Sequence, residues 1–436
     1  MGRFRDALAR PGLQAIAEVK RRSPSAGELR GDADPAALAA AFAVAGAAAI
    51  SVLVDERFGG SLDDLRAARA ATAAPLLGKG FFSREEQVRE LAAAGADALL
   101  LILRDLSDKQ LSNLRGLALE LGLDTLIEAH DGDELARGIA LGANPIGINC
   151  RDLASFAIDR KAQLELVANA PRDRTIVAES GIWSRAQAAA AELAGASTVL
   201  VGSALMRAPD PAAKLEELIS RPLVKVCGLT RQEDVDAVAA AGADMAGFIL
   251  AAESPRQAPS VLDVPETMLS VAVFVGERRE TDADLVQLYA REDGHRSRDA
   301  LLFRGREAVA SVLDLPWQSG DPGNVRSSAT DATEDAVSGR RARPGGGVLR
   351  FETSSLDAGH FERATEASRE RRVMLAGGLG PENVAEAIAQ VRPWAVDASS
   401  SLETAPGVKD HARVHEFVAA AERARIHSRG RGGARR

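Results

Sequence analysis

The feature that most constrains this chain is an alternation. Short β-branched or leucine-rich runs alternate with Ala/Leu/Glu/Arg-rich stretches along residues 1–220. The runs predict strands at Ile16–Lys20, Ala48–Val54, Pro75–Phe81, Ala98–Leu103, Thr125–Ala129, Pro145–Cys150, Thr175–Ser180 and Thr198–Ser203. Helical patterns lie between them, among them Pro35–Ala45, Leu62–Ala71, Ser83–Ala94, Asp108–Leu121 and Arg185–Leu193. Several helices close on Ala-Gly-Ala or Leu-Gly-Ala, a glycine stop before the next strand. Eight strand–helix units is the count of a (β/α)8 barrel.

A second series follows almost without a linker. Val224–Leu229, Met245–Leu250 and Val271–Val275 read as strands, with a helix at Arg231–Ala241. Asp282–Glu292 reads as a helix, with Leu285, Leu288 and Tyr289 on one face, and Ala300–Phe303 as the fourth strand. Val373–Gly377 and Ala395–Ser399 read as strands seven and eight. The repeat predicts two tandem (β/α)8 TIM barrels, an α/β fold, divided as 1–220, 221–422 and a basic tail 423–436. Residues 305–346 break the pattern. They are rich in Ser, Gly, Asp, Thr and Arg and offer only Val309–Leu315 as a strand, so the second barrel is expected to be irregular there.

Composition narrows the class. The chain has 436 residues, with 46% apolar but only 4% aromatic residues, so its cores must be built from Ala, Val, Leu and Ile. A net charge of −8 argues against a general nucleic-acid binder. Two cysteines, Cys150 and Cys227, imply no disulfide framework and fit a reducing cytosol. No apolar run reaches membrane-spanning length, and Met1-Gly2-Arg3-Phe4-Arg5 does not read as a signal peptide, so a cytoplasmic location is expected. The Gly/Arg-rich end predicts solvated disorder rather than an RNA-binding tail.

Lysine is scarce: only seven of the 54 basic residues are lysines. Arginine serves wherever a generic positive charge will do, so Lys20 and Lys79, both at strand tips, need a specific reason. Lysine can change its protonation state when buried, whereas arginine stays charged. In a barrel of this kind the chemistry sits at the C-terminal tips of the strands. There this sequence places Glu18 and Lys20, Ser51, Lys79, Glu128, Asn149, and Glu179 with Ser180. Gly181 and Gly202-Ser203 follow strands seven and eight, where backbone N–H groups commonly hold phosphate. No His/Asp/Glu/Cys cluster has ligand spacing, so neither a metal nor another cofactor is expected.

These residues form a recognisable signature. Glu18-Val19-Lys20-Arg21-Arg22-Ser23-Pro24-Ser25, Leu77-Gly78-Lys79, Ile127-Glu128-Ala129-His130, Gly147-Ile148-Asn149-Cys150-Arg151-Asp152-Leu153 and Ala178-Glu179-Ser180-Gly181-Ile182 together resemble indole-3-glycerol-phosphate synthase. The resemblance implies ring closure of an anthranilate-linked deoxyribulose phosphate, with loss of carbon dioxide and water. It makes Lys79 the acid, Glu128 the base and Lys20 the holder of the departing carboxylate. Glu18 and Glu179 orient the lysines and substrate, and Asn149 the developing hydroxyl. Ser23, Ser180, Gly181, Gly202 and Ser203 are then substrate- or phosphate-binding. Which lysine serves which step stays open. Departures include a short segment before strand one and Gly80 where an acid usually follows the lysine.

The second series resembles phosphoribosylanthranilate isomerase through Lys225-Val226-Cys227-Gly228-Leu229-Thr230, Ser254-Pro255-Arg256, Leu375-Ala376-Gly377-Gly378-Leu379, Val396-Asp397-Ala398-Ser399-Ser400 and Pro406-Gly407-Val408-Lys409-Asp410. The resemblance makes Cys227 the base and Arg256 the carboxylate anchor, with Gly377, Gly378, Ser399 and Ser400 on the phosphate. The aspartate acid of that family has no clean counterpart. Gly345-Gly346-Gly347 with Phe351-Glu352 matches the loop that should follow it, but Val337-Ser338-Gly339 occupies its place, and Asp314 and Asp335 lie off position. Arg304 falls where the family has a histidine, or Tyr289 if strand four is Leu285–Tyr289. The expectation is a fused two-step enzyme of tryptophan biosynthesis, monomeric, acting on small phosphorylated substrates. One alternative is a synthase whose second barrel is a non-catalytic module. A sugar-phosphate isomerase on the same fold would need paired aspartates at strands one and five, where this chain has Glu18, Lys20 and Glu128.

Overall fold

The computed structural model describes residues 2–23, 27–149, 151, 158–252, 254–275, 279–292, 295–303, 348–352, 358–370 and 372–425. The chain forms two compact units that part between Ile219 and Ser220.

The N-terminal unit is a closed barrel. Its strands are β1 (Gln14–Val19), β2 (Ala49–Leu53), β3 (Leu76–Lys79), β4 (Ala98–Ile102), β5 (Asp124–Ala129), β6 (Ile146–Asn149), β7 (Ile176–Glu179) and β8 (Thr198–Val201). Every neighbouring pair is parallel, and β1 closes the ring against β8 with Ile16 opposite Leu200. The helices between strands are α2 (Pro35–Val44), α3 (Leu62–Ala71), α4 (Glu85–Ala93), α5 (Asp108–Glu120), α6 (Gly132–Ala140), α7 (Arg160–Asn169) and α8 (Arg185–Ala194), all following α1 (Arg3–Leu8). After β8 come the five-residue α9 (Ser203–Arg207) and α10 (Pro211–Ile219). Local chemistry sets these boundaries. Ser61, Ser107 and Ser184 open α3, α5 and α8 with reciprocal capping boxes. The glycine stops Gly46, Gly95 and Gly142 all take positive φ, at +104°, +90° and +69°.

Helix α1 was not expected, and it closes the end of the barrel remote from the strand tips. Phe4 and Leu8 are fully buried among Ile16, Ala48, Leu77, Ala98, Leu126 and Val177. The Arg5 backbone N–H donates to Asp124 Oδ2 at 3.0 Å, and Arg3 Nη1 to Asp97 Oδ1 at 2.7 Å. Asp97 and Asp124 stand where β4 and β5 begin. Burying two such side chains is worth about 1.5–3 kcal/mol each.

The C-terminal unit is a half-barrel sheet. Strands β9 (Leu223–Cys227), β10 (Met245–Ile249), β11 (Leu269–Val275), β12 (Leu285–Glu292), β13 (His295–Phe303), β14 (Val348–Glu352), β15 (Arg372–Ala376) and β16 (Ala395–Ala398) run in the order β13-β12-β11-β10-β9-β16-β15-β14. Helices α11 (Gln232–Ala240), α12 (Ala358–Glu370), α13 (Val384–Val391) and α14 (His411–Arg423) complete it. All pairs are parallel except β12 with β13, which are antiparallel. Leu285–Glu292 is therefore a strand where a helix was expected. Leu285, Val286 and Gln287 are buried in succession, whereas a one-faced helix would expose one of them. A short apolar run satisfies both periods, and pairing of Val286 with Ala272 decided between them. The expected fourth strand Ala300–Phe303 lies within β13, which opposes β12 instead of extending the parallel set. Phe351 and Glu352, expected in a loop, end strand β14. Val309–Leu315, Arg304, Asp314, Asp335, Gly345–Gly347 and the tail beyond residue 425 lie outside the described residues.

Candidate active site

The strand tips of the N-terminal barrel bring the expected ionisable groups to one mouth. Lys79, the last residue of β3, directs Nζ between two carboxylates, 2.7 Å from Glu179 Oε2 and 3.3 Å from Glu18 Oε2. Glu18 Oε1 in turn lies 2.8 Å from Lys20 Nζ. Glu18, Lys20 and Lys79 line one cavity with Glu128, Asn149, Ser180, Gly181, Gly202, Ser203 and Ser23, and Glu179 meets it through Lys79. Glu18, Glu128 and Glu179 are almost wholly buried.

Two glycines make room for these side chains. A methyl at Gly147 on β6 would stand 2.1 Å from Glu179 Oε1. One at Gly202 would stand 2.4 Å from Glu18 Oε1 and 2.9 Å from Lys20 Nζ. Gly202 thus clears space for the Glu18–Lys20 pair. Gln163 of α7, buried, donates its amide to Ile148 O at 3.1 Å and to Glu179 O, tying the ends of β6 and β7 together.

Charge in this mouth is strongly coupled. Burial pushes the Glu18 carboxyl up, but the Lys20 and Lys79 ammonium groups outweigh it and hold the group at about 2. Burial works against the Lys79 ammonium, yet the carboxylates of Glu179, Glu18 and Glu128 hold its proton more tightly than usual. Burial raises Glu179 to about 8, helped by the Glu128 charge and opposed by Lys79, so it keeps its proton at neutral pH. Glu128 is held below the ordinary range: burial is outweighed by His130 and Lys79.

The loop after β7 has an unusual backbone. Ser180 and Gly181 both take left-handed φ, +67° and +71°, which is uncommon for a serine. Successive backbone N–H groups in a turn of this kind can form a concavity suited to an anion. Ser180 Oγ donates to Asn149 Oδ1 at 2.9 Å, and the Arg151 N–H donates to the same oxygen at 3.1 Å. On the apolar side, Phe58 and Phe81 stack at 6.4 Å between centroids, and Arg57 lies over Phe81 at 4.0 Å. These aromatics were passed over in the sequence; in a chain with so few, their place beside strand-tip motifs was the available signal.

In the C-terminal unit, Cys227 ends β9 and is buried. A methyl at Gly228 would stand 2.8 Å from Ser399 Oγ and 2.9 Å from Arg256 Cδ, so these residues converge beside the cysteine. Arg256 is occupied by a carboxylate that the sequence reading missed: its Nε lies 2.8 Å from Glu403 Oε2. Lys409 Nζ binds Glu403 Oε1 at 2.7 Å and Ser399 O at 3.2 Å. Burial lowers the Lys409 pKa, with Glu403 opposing. Beneath Cys227, Lys225 Nζ and Asp397 Oδ2 form a buried pair at 2.8 Å. Gly377 and Gly378 take positive φ, +88° and +66°, at the end of β15, and Ser400 opens a short 3-10 turn after β16. The scarcity of lysine, applied to Lys20 and Lys79, would have singled out Lys225 and Lys409 as well.

The fold and the comparisons below define a (β/α)8-barrel enzyme, and its C-terminal mouth holds amines framed by carboxylates. Residues 2–218 match the model of the family "Indole-3-glycerol phosphate synthase", and residues 345–420 that of "N-(5'phosphoribosyl)anthranilate (PRA) isomerase". An indole-3-glycerol phosphate synthase of Nocardioides sp. is 50% identical over 46% of this chain and 77% of its own length. One of Desulfosudis oleivorans is 47% identical over 50% of this chain and 83% of its own. A multifunctional tryptophan biosynthesis protein of Phycomyces blakesleeanus is 34% identical over 92% of this chain, which spans 62% of that relative's length. The chain belongs to the indole-3-glycerol phosphate synthase family. Among the described residues no helix is long and apolar enough to cross a membrane.

Proposed function

We propose that the chain is a two-step enzyme of tryptophan biosynthesis. The N-terminal unit closes the indole ring of carboxyphenylamino-deoxyribulose phosphate, and the C-terminal unit makes that substrate by isomerising phosphoribosylanthranilate. The observation that carries the reading is the Lys79 ammonium between Glu179 and Glu18 at the mouth of a closed barrel.

Ring closure joins the aromatic carbon bearing the carboxylate to the ketone carbon. Lys79 protonates the developing alkoxide, which is basic enough to take a tightly held proton, and Glu179 beside it retains a proton to restore the ammonium. Lys20 holds the carboxylate until it leaves as carbon dioxide. Dehydration then breaks the C–O bond at the former ketone carbon and a C–H bond at the neighbouring methylene. Glu128, kept ionised, takes that proton, and the hydroxyl leaves as water with a proton from the restored Lys79 ammonium. Asn149 orients the hydroxyl. The left-handed N–H groups at Ser180 and Gly181, with Gly202, Ser203 and Ser23, hold the phosphate.

In the C-terminal unit, Cys227 removes the sugar C2 proton and Arg256 exchanges Glu403 for the substrate carboxylate. Gly377, Gly378, Ser399 and Ser400 take the phosphate. A second reading, in which this unit is a non-catalytic module, is favoured by one observation: among the described residues its strands form a half-barrel sheet. The protein acts as a cytoplasmic monomer on both readings.

Steady-state turnover of each half-reaction by the whole chain tests the proposal. Turnover of both substrates, with isomerisation lost in Cys227→Ala, is the expected result. Isomerase turnover at background that Cys227→Ala leaves unchanged would establish the module instead. Absent ring closure would overturn the first assignment.

A further inference from the structure

Beside Glu128 stands a histidine that the mechanism above does not use. His130 follows β5 by one residue, and its side chain is only 4% exposed. Its Nε2 lies 3.1 Å from Glu128 Oε1 and its Nδ1 3.1 Å from Glu134 Oε2. The same Glu134 oxygen accepts the His130 backbone N–H at 2.8 Å, fixing the imidazole against the first turn of α6. Asp131 Oδ1 accepts from Glu134 N at 2.8 Å and caps that turn. From the element after β4, Arg104 Nε donates to Glu134 Oε1 at 2.9 Å. The charged groups around the ring are therefore Glu128 on one edge and Glu134 on the other, with Arg104 beyond Glu134, and Lys79 and Glu179 acting on Glu128 from the cavity.

We propose that His130 is a positioning residue for the base. Held between two carboxylates, it stays an imidazolium, aims Glu128 at the substrate methylene and keeps it ionised, while Glu134 holds the ring in place. The inference rests on Glu128 being the base. Burial by itself would discharge the ring, but its two carboxylate neighbours outweigh burial and raise its pKa. A cation at 3 Å favours the charged form of Glu128 far more than solvent could at this depth. The sequence offered the cue in Ile127-Glu128-Ala129-His130, where alternation along the strand would set Glu128 and His130 on one face.

The test is the pH profile of ring closure by the full chain, for the parent, His130→Gln, Glu134→Gln and Glu128→Gln, each checked for folding by circular dichroism. His130→Gln keeps an N–H near Glu128 but removes the charge. Its acidic limb in kcat should move about one unit upward, as expected for loss of an adjacent opposite charge. Relative to the parent, its rate should fall by up to about tenfold at pH values below the parental limb and return to the parental value at neutral pH. Glu134→Gln should move the limb the same way by less, and serves if His130→Gln does not fold. An unmoved limb, whether the rate is unchanged or falls equally at every pH, would overturn the proposal. If Glu128→Gln retains the parental rate and limb, the base assignment fails instead, and His130 is then without this role.

Discussion

Lys79 Nζ lies 2.7 Å from Glu179 Oε2, and the other oxygen of that carboxylate occupies space left only by the absence of a side chain at Gly147. The pair joins β3 to β7 across the barrel, 100 residues apart in sequence. Two segments with no local relation are thereby committed to one proton inventory.

Lys79→Ala should abolish ring closure while the barrel survives. Losing the acid costs roughly 10²–10⁴ in rate, so the variant should retain under about a hundredth of parental kcat. The removal also leaves Glu18 and Glu179 buried without their shared cation, so thermal stability should drop more at pH 8 than at pH 5, where Glu179 is neutral. A variant keeping more than about a tenth of the rate would remove Lys79 from the mechanism.

Gly147→Ala tests the same geometry without touching an ionisable group. Its new methyl would meet Glu179 Oε1 at 2.1 Å, which forces the carboxylate off Lys79. We expect a loss of kcat of about tenfold or more with circular dichroism unchanged, because misplacing a reacting group by about 1 Å can cost up to a hundredfold. Parental activity would show that the Glu179 position is not needed.

Glu179 predicts an alkaline limb. Its pKa of about 8 is above the ordinary carboxyl value, so the proton is bound below pH 8 and lost above it. Ring closure should decline as pH rises through about 8, and Glu179→Gln, a neutral isostere, should remove that limb. Stability carries the same sign. A raised carboxyl pKa contributes stability present below about 4.5 and lost as pH rises to about 8. Glu179→Gln should therefore gain melting temperature over the parent at pH 9 and not at pH 4. An alkaline limb unchanged in Glu179→Gln would assign it to another group.

What could be read without coordinates follows from what is local. Glycine stops and apolar runs placed all eight barrel strands to within a few residues, and Leu62–Ala71 to the residue, because each signal lies within one turn of its effect. Strand tips were legible for the same reason, since a charge at the end of an apolar run in a barrel has one end to go to. Leu285–Glu292 was not legible, because its pattern suits either period and only pairing with β11 and β13 selects the strand. Glu403 was missed because its role depends on Arg256, which is far away in sequence. His130 was quoted in a motif and given no role: strand alternation offers only its Glu128 contact, and the Glu134 contact that holds the ring arises once α6 turns back onto β5.

Ser180 separates strain from contact. Its left-handed φ of +67° costs of order 1 kcal/mol, which glycine would not incur. Ser180→Gly relieves the strain but loses the 2.9 Å bond to Asn149, whereas Ser180→Ala loses the bond and keeps the strain. In urea unfolding, Ser180→Gly should be the more stable variant by about 1 kcal/mol. Both should raise KM if Asn149 and the adjacent N–H groups position the substrate. Equal stabilities would mean that the backbone is not strained there.

The Lys225–Asp397 pair under Cys227 lets stability and chemistry be distinguished in the C-terminal unit. Both side chains are almost fully buried at 2.8 Å, so desolvation offsets most of their attraction. Removing one partner strands the other, and Lys225→Met or Asp397→Leu should each cost about 3–5 kcal/mol. The double variant leaves no buried charge and should recover most of that loss in thermal unfolding of the whole chain. Its isomerase turnover should nonetheless stay low if the ammonium serves the site, because Lys225 Cε and Cys227 Sγ both crowd Gly247, at 3.0 and 2.8 Å from a methyl placed there. Recovery of stability and turnover together would make the pair purely structural, and no recovery of stability would mean that each residue is needed by a different neighbour.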